Sequence, residues 1–198
     1  MARKYQLKQR AQRQEETRQR IIEAAVELHT TIGLAQTTIS AIAERAGVER
    51  LTLYRHFPHE HELLRACSDH YLVTHPLPDP TSWGLIADPL TRLRVALAEV
   101  YAYYRRTEQR WLNIPYDGQA HPEIAEFAAP YIGRWRQMRA VLLTAWEVSA
   151  PQQRLLEAAL GHALDFQTWH SLVRQQRLDD RQAIDLLAGM VRCLVAGK

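Results

Sequence analysis

The chain has 198 residues and a mass of 22.9 kDa, which is enough for one large domain or two small ones. Hydrophobic residues make up 46% and charged residues 24%, so a chain that is disordered over most of its length is excluded. Its two cysteines cannot form a disulfide scaffold, and no apolar run reaches the ~18 residues that a membrane helix needs. We therefore expect a reduced, cytoplasmic protein with no membrane role and no signal peptide.

The formal net charge of +3 is distributed unevenly along the chain. Residues 1–58 hold ten basic and six acidic side chains, a net charge of +4, whereas residues 59–198 carry −1. The first 20 residues alone carry +5. A basic head on a nearly neutral body favours a polyanionic partner, and a solvated, disordered tail is the alternative interpretation.

Apolar residues recur at helical spacing through the first third of the chain. The first predicted helix has its apolar face at Ile21, Ala25, Leu28 and Ile32 and ends at Gly33. The second has its apolar face at Ile39, Ile42, Ala43 and Ala46, with Thr37 or Thr38 as cap and Gly47 at its end. A third, short helix carries Val48, Leu53 and Phe57 and ends at Pro58, and a fourth begins near Leu63.

Prolines then punctuate the chain. Four prolines and a glycine between His75 and Pro89 predict a loop and a domain boundary. A strong helix follows from Leu90 to Tyr104, then a predicted loop over Asn113–Pro122 and a helix near Pro122 that Pro130 interrupts. Pro151 suits the first turn of the next helix, and Asp179 or Asp180 can cap the last. The result is an all-α chain of about nine helices.

The turn at Ala46-Gly47-Val48 joins two short helices with the spacing of a DNA-binding helix-turn-helix. Gly47 turns the chain where a side chain would clash, and Val48 fills the corner. The following helix would then present its N-terminal residues outward to a major groove.

The residues from Thr17 to Tyr71 resemble the N-terminal domain of the TetR family of transcriptional regulators, most specifically in the segments AIAERAGV and TLYRHF. The resemblance implies a three-helix DNA-binding domain and a helical C-terminal domain that dimerises and binds a small effector. We accordingly expect a basic arm over residues 1–14, a helix-turn-helix domain over 15–72, and an effector-binding and dimerisation domain over 73–198.

The same resemblance makes residues 50–56 the reading helix. Arg50, Leu51 and Thr52 are placed for base edges, whereas Thr38, Tyr54 and His56 are placed for phosphates. Arg55 is either a groove contact or an intradomain charge. The predicted DNA-binding residues are therefore Thr38, Arg50, Leu51, Thr52, Tyr54, Arg55 and His56.

The sequence departs from the usual family pattern in places. Glu49 and Glu60 bring negative charge to positions where a small residue and a lysine are common, and Leu51 replaces a small residue. The basic arm can compensate by reaching an adjacent minor groove or phosphates. His29 replaces a core aromatic, and Arg45 faces outward from the turn; we expect a packed histidine and a structural arginine.

Aromatic residues are concentrated outside the head, where all five tryptophans lie. For any one of them, core packing is the simplest interpretation; together they could line a pocket for a flat or hydrophobic effector. The predicted effector-binding residues are Tyr101, Tyr104, Trp111, Phe127, Trp135, Met138, Phe166 and Trp169. His162, Asp165, Glu147 and His170 could orient such a ligand.

The last two helices carry wide apolar faces, at Leu156, Leu160 and Ala163 and at Ile184, Leu187, Val191 and Leu194. Family resemblance makes them the interface of a two-fold homodimer; an intrachain hairpin is the alternative. We expect a repressor that a small hydrophobic or aromatic effector releases from a palindromic double-stranded DNA operator. An effector-dependent activator and an interaction module that has lost DNA binding stay open. The sequence lacks metal-ligand spacing around His59 and His61 and lacks nucleophile or nucleotide motifs, so we expect no enzyme, metal or cofactor.

Overall fold

The computed structural model describes the backbone of residues 2–120, 127 and 129–196, and the side chains of 5–114, 127 and 129–196. The α-helices in chain order are α1 (Ala2–Thr31), α2 (Ile39–Ala46), α3 (Arg50–His56), α4 (Glu60–Thr74), α5 (Pro89–Ala120), α6 (Ala129–Leu143), α7 (Ala150–Ala163), α8 (Phe166–His170) and α9 (Asp180–Ala196). Over these residues there is no β-strand, which confirms the expected all-α fold. None of the described helices is both long and apolar enough to cross a membrane.

The chain divides into two compact units, and the first comprises Met1–Pro76 and Gln109–Phe127. Its core is built by α1 to α4 around short apolar side chains, among them Ile21, Ala25, Ile42, Leu53, Phe57 and Leu63. Val48 packs against this core at the corner between α2 and α3, as expected. His29 is also buried, which confirms the expected packed histidine.

The second unit comprises Leu77–Glu108 and Ala128–Lys198. Arg92 of α5 connects the segment before α5 with α6. Its buried guanidinium donates to the carbonyls of Gly84 and Ile86 in that segment and of Val141 in α6. Carbonyl acceptors offset part of the cost of burying a charge. Ser149 and Gln152 form a capping box at the start of α7, with Pro151 in the first turn as predicted.

Helix α5 differs from the prediction. A loop was expected over Asn113–Pro122, but the helix continues to Ala120. Its one non-helical residue is Thr107, whose hydroxyl donates to the Tyr103 carbonyl, so the break lies earlier than the sequence indicated. The proline and glycine of this segment favour a loop, but a tertiary contact favours the helix. The Asn113 side-chain amide donates to the Thr30 carbonyl at 3.0 Å. Residues 121 and 122 lie outside the described residues.

The predicted interruption at Pro130 is also resolved differently. Pro130 lies in the first turn of α6, where a missing backbone N–H costs no intrahelical hydrogen bond. The expected start near Pro122 lies outside the described residues. Asp179 caps α9, since its carboxylate accepts from the Gln182 backbone N–H at 2.7 Å.

The apolar faces of α7 and α9 pack against each other within the chain. The residues predicted to face a partner are mostly buried there, including Leu156, Leu160, Ile184 and Val191. These faces therefore pack against each other within one chain, which leaves the predicted homodimer untested. A different set of apolar side chains on the same two helices is exposed, namely Leu155, Leu186 and Met190.

Candidate nucleic-acid interface

The helix-turn-helix is closed by Gly47, which ends α2 in the left-handed conformation at φ 66°. Its N–H donates to the carbonyls of Ala43 and Glu44, and the Val48 N–H donates to Ala43 at 2.9 Å. Only glycine adopts this conformation without strain. The turn is thus fixed by the backbone, and it directs the chain into α3.

Helix α3 has one buried edge and a broad exposed face. Leu53 and Phe57 are buried in the core of the first unit. Arg50, Leu51, Tyr54 and Arg55 are exposed, and Thr52 and His56 are half-buried. Leu51 is 58% exposed, so more than half of its surface faces solvent. Six of the seven predicted DNA-binding residues therefore lie on the solvent side of this helix.

The seventh, Thr38, is exposed at the start of α2. Its hydroxyl oxygen accepts from the Ala41 backbone N–H at 3.1 Å and so caps the helix. A hydroxyl that accepts in this way keeps its own proton to donate to a phosphate oxygen. The early backbone N–H groups nearby add the partial positive charge of a helix N-terminus.

Glu49 and Glu60, the two acidic residues that depart from the family pattern, lie in different environments. Glu49 is the residue before α3 and makes no side-chain capping bond, although its carbonyl accepts from Thr52 and Leu53. Glu60 is exposed in the first turn of α4, where its carboxylate interacts favourably with the positive end of the helix dipole. Arg45 pairs with Glu27 through two hydrogen bonds of 2.9 and 2.7 Å, which confirms its expected structural role and removes it from the reading surface.

A cleft of about 500 Å³ lies between α1 and α3. It is lined by Ala11, Gln14, Glu15 and Arg18 from α1 and by Thr52, Arg55 and His56 from α3. The Arg18 guanidinium lies over the Phe57 ring at 4.9 Å, which holds the two helices together at this point. Arg18 and Gln14 were missed by the sequence reasoning, although both continue the face of α1 that buries Ile21 and Ala25.

The predicted effector residues are divided between the two units. Tyr104 is the centre of an aromatic cluster in the second unit, with ring centroids 5.7 Å from Trp135, 5.3 Å from Phe166 and 5.8 Å from Trp169. Tyr101 lies 6.4 Å from it. Met138 is buried in the same unit, whereas Trp111 and Phe127 belong to the first. The sequence placed all eight around one cavity, and effector binding by all eight stays a prediction.

The polar atoms of the cluster are bonded inside the protein. The Tyr101 and Tyr104 hydroxyls donate to the carbonyls of Ala163 and Leu164 at 3.0 and 2.6 Å. The Trp169 indole donates to the Asp180 carboxylate at 3.1 Å. Burial raises the pKa of both tyrosine hydroxyls, so they remain neutral donors. In this conformation the cluster behaves as packed core.

Three of the four polar side chains expected to orient a ligand have structural partners, whereas Glu147 is exposed. Asp165 caps α8 by accepting from the Gln167 N–H at 2.7 Å. His162 lies 3.1 Å from the Thr168 hydroxyl, and His170 lies 3.9 Å from Glu108. Ligand binding by these residues stays a prediction.

Comparison with known proteins agrees with the geometry of the first unit. Residues 21–67 match the family model described as bacterial regulatory proteins, tetR family. Over 88 residues the chain is 40% identical to the HTH-type transcriptional regulator TtgR of Pseudomonas putida, a match that covers 44% of this chain and 42% of that protein. The matched region therefore spans about two fifths of the length of this relative.

Solved structures extend the similarity to about nine tenths of the chain, at the level of the fold. A TetR-like transcriptional regulator from Rhodococcus sp. RHA1 aligns over 92% of this chain and 97% of its own, with a TM-score of 0.61 and 22% identity. NalD, the secondary repressor of the MexAB-OprM multidrug efflux pump in Pseudomonas aeruginosa, aligns over 91% and 96%, with a TM-score of 0.57 and 21% identity. Both units thus share the architecture of these regulators.

Proposed function

We propose that this chain, which carries a DNA-binding domain of the tetR family, is a sequence-specific transcription regulator. It is a cytoplasmic repressor that blocks transcription by occupying a palindromic operator. The observation that carries the proposal is the exposed face of α3, which combines two arginines, a tyrosine and a 58% exposed leucine behind a rigid glycine turn. Such a face is open to solvent and has the width and chemistry for a major groove.

The exposed side chains of this surface are suited to two kinds of contact, some to bases and others to phosphates. Arg50 is suited to donate to guanine O6 and N7, and the exposed Leu51 is suited to contact a thymine methyl group. Tyr54, His56 and the capping hydroxyl of Thr38 donate to phosphates and so set the register of the helix. Arg55 is exposed beside the cleft and adds positive charge at the groove edge.

The regulator acts as a homodimer, because a palindromic operator needs two reading helices about one helical turn apart. The last two helices supply the interface, but through side chains other than those expected from the sequence. Leu155 of α7 and Leu186 and Met190 of α9 are exposed apolar residues with no role in the hairpin core. Pairing them with their symmetry mates removes their apolar surface from water.

A small hydrophobic or aromatic effector binds at the aromatic cluster of the second unit. Trp135 is the half-buried member of the described cluster, so its ring is the one that a ligand can displace at least cost. Binding then moves α4, which carries Leu63 and Tyr71, and changes the separation of the two reading helices. The effector must bind the two states with different affinity, since equal affinity shifts no equilibrium.

The test is selection of bound duplexes from fragmented genomic DNA by the purified protein at moderate salt. We expect enrichment of a palindrome whose half-sites lie about one helical turn apart. Repeating the selection with cell extract supplies any co-ligand that binding requires. No enriched palindrome under either condition contradicts the proposal and favours the interaction module, for which Glu49 and Glu60 give a reason.

The effector site has a separate test. Trp135→Ala and Phe166→Ala should weaken effector binding, while Leu85→Ala, a truncation at an 88% exposed position, should not. The genes beside the selected operator indicate the class of effector to use. Isothermal titration calorimetry with compounds of that class measures the difference in binding. Normal binding by both aromatic variants places the site elsewhere. Whether the effector releases or recruits the operator separates the repressor from an effector-dependent activator.

A further inference from the structure

The first half of α1 extends beyond the core of its unit. The helix is continuous from Ala2, yet every described side chain from Tyr5 to Glu16 is exposed, and the buried residues begin only at Ile21. Twelve exposed residues correspond to about 18 Å of helix at 1.5 Å per residue. A short isolated helix is marginally stable in water, but this one continues a packed helix and so needs no nucleus of its own. We call residues 5–16 the extension.

The extension has the composition of a phosphate-binding surface. Residues 5–16 contain three basic residues and four glutamines, and their two acidic residues lie at the end that joins the head. Lys8, Arg10 and Arg13 are the exposed cations of its described part. The acidic residues begin at Glu15, where the extension joins the head, and Glu16 accepts from the Gln12 amide at 3.0 Å. Lysine, arginine and glutamine donors contact phosphate oxygens without reading sequence.

The cleft between α1 and α3 fixes where the extension lies. Gln14 and Arg18 face Arg55 and His56 across that cleft, so the extension leaves the head beside the reading helix. Arg18 over Phe57 holds the junction. A duplex bound to the exposed face of α3 would therefore have one of its phosphate backbones near the extension.

A helix constrains how this segment can contact DNA. An α-helix with its side chains is about 10–12 Å wide, whereas the minor groove of B-DNA is about 6 Å wide. The body of the helix is thus too wide to enter the minor groove. Phosphates remain as the partner that its donors can reach.

We propose that the extension is a rigid second contact element, which lies along the phosphate backbone outside the half-site that α3 reads. This inference rests on the proposed DNA-binding function. A helix of about 18 Å spans about five base pairs at 3.4 Å each. The extension lengthens the contacted duplex by that amount at each end of the operator, with no base preference there.

The test compares full-length protein with the variant Lys8→Gln/Arg10→Gln/Arg13→Gln, which keeps good helix formers and removes three charges per subunit. The matched control is Arg106→Gln/Arg136→Gln/Arg139→Gln, three exposed arginines of the second unit. Operator affinity is measured over a range of salt concentrations, once on a duplex with long flanks and once on a duplex trimmed by about five base pairs at each end.

We expect the slope of log K against log salt to be smaller by about 5 for the dimeric variant, since each lost phosphate contact changes it by about 0.9. Trimming should weaken the wild type and the control, but not the variant. If the slope of the variant is unchanged, or if its decrease in slope equals that of the control, the inference is overturned. The proposed function still holds in that case, provided that the wild type binds its operator. If the wild type itself selects no operator, the proposed function has failed instead.

A second variant separates a rigid element from a charged tail. Gln12→Pro keeps every charge but breaks the helix within the extension. We expect this variant to lose the dependence on flanking base pairs and to keep the half-site preference. If Gln12→Pro depends on the flanks as the wild type does, the contact comes from a flexible tail and the rigid element is overturned.

Discussion

Two tyrosines show how differently the two units of this protein use the same side chain. Tyr54 on α3 is 38% exposed, whereas Tyr104 on α5 is 1% exposed and donates its hydroxyl to the Leu164 carbonyl. The donors on α3 of the first unit already face solvent in the folded protein. The aromatic cluster of the second unit is closed, and any ligand there must first displace packed rings. The proposed contact between α3 and DNA thus needs no rearrangement, whereas the proposed effector binding at the cluster requires one.

The strongest way to break this comparison is truncation at the centre of the closed cluster. Tyr104→Ala should destabilise the protein by about 3–5 kcal/mol, the range for removing a large buried aromatic side chain. Chemical denaturation followed by tryptophan fluorescence measures the loss. Tyr54→Ala is the matched control and should change stability by less than about 0.5 kcal/mol. Equal losses for the two variants would mean that Tyr54 is a core residue and has no recognition role.

Removing a base-reading side chain should have the opposite profile. Arg50→Ala should weaken binding to the selected operator by about 1–3 kcal/mol per half-site and relax preference at one base position. Stability should not change, since Arg50 is exposed. Binding to a library of single-base operator variants measures both effects. A uniform loss across that library would identify Arg50 as a phosphate contact.

Deleting single hydroxyl groups sharpens the contrast. Tyr104→Phe should lower the free energy of unfolding by about 1–3 kcal/mol, because the buried Leu164 carbonyl loses its donor. Tyr54→Phe should leave stability intact and weaken binding by about 1.5–3 kcal/mol per half-site, uniformly across sequences, as expected for a hydrogen bond to a charged phosphate. Thermal unfolding and operator titration of both variants test the pair. Operator affinity equal to the wild type in Tyr54→Phe would disprove the hydroxyl contact.

The smallest expected effect concerns the turn that presents α3. Gly47→Ala should cost about 1–2 kcal/mol of stability, the penalty of the left-handed conformation for a residue with a Cβ. Space does not add to it, because a Cβ there would meet its nearest neighbour, an Arg20 nitrogen, at an ordinary 3.9 Å. Gly47→Asn should cost less, since asparagine tolerates this conformation better. Equal losses for Ala and Asn in thermal unfolding would contradict this explanation.

The parts of the molecule that were predictable are those that local chemistry determines. The bounds of α3 follow from Gly47 before it and Pro58 after it, and Thr38 and Asp179 cap the helices that they were expected to cap. Each of these signals acts within a few residues. The prediction of a short helix between Gly47 and Pro58 therefore needed no knowledge of tertiary structure, whereas its role as a reading helix came from the family resemblance.

The parts that could not be predicted depend on contacts between distant segments. The continuation of α5 to Ala120 involves Asn113 bonding to Thr30, and the cleft involves Arg18 meeting α3. Apolar patterning marked both faces of the α7–α9 hairpin as candidates for burial, but it could not tell an intrachain face from an intersubunit one. Composition likewise identified the aromatic residues without showing that Trp111 and Phe127 lie in the other unit.

The first unit is assembled from two separate stretches of chain, Met1–Pro76 and Gln109–Phe127. During synthesis the reading helix leaves the ribosome well before the stretch that supplies the Asn113 donor for Thr30 and the Arg110 guanidinium that lies 5.5 Å from the Tyr71 ring centre. A fusion that takes only residues Met1–Pro76 leaves both of these groups behind. A transplant of the first unit into another protein should therefore carry the second stretch along, so that the transplanted part remains a whole folding unit.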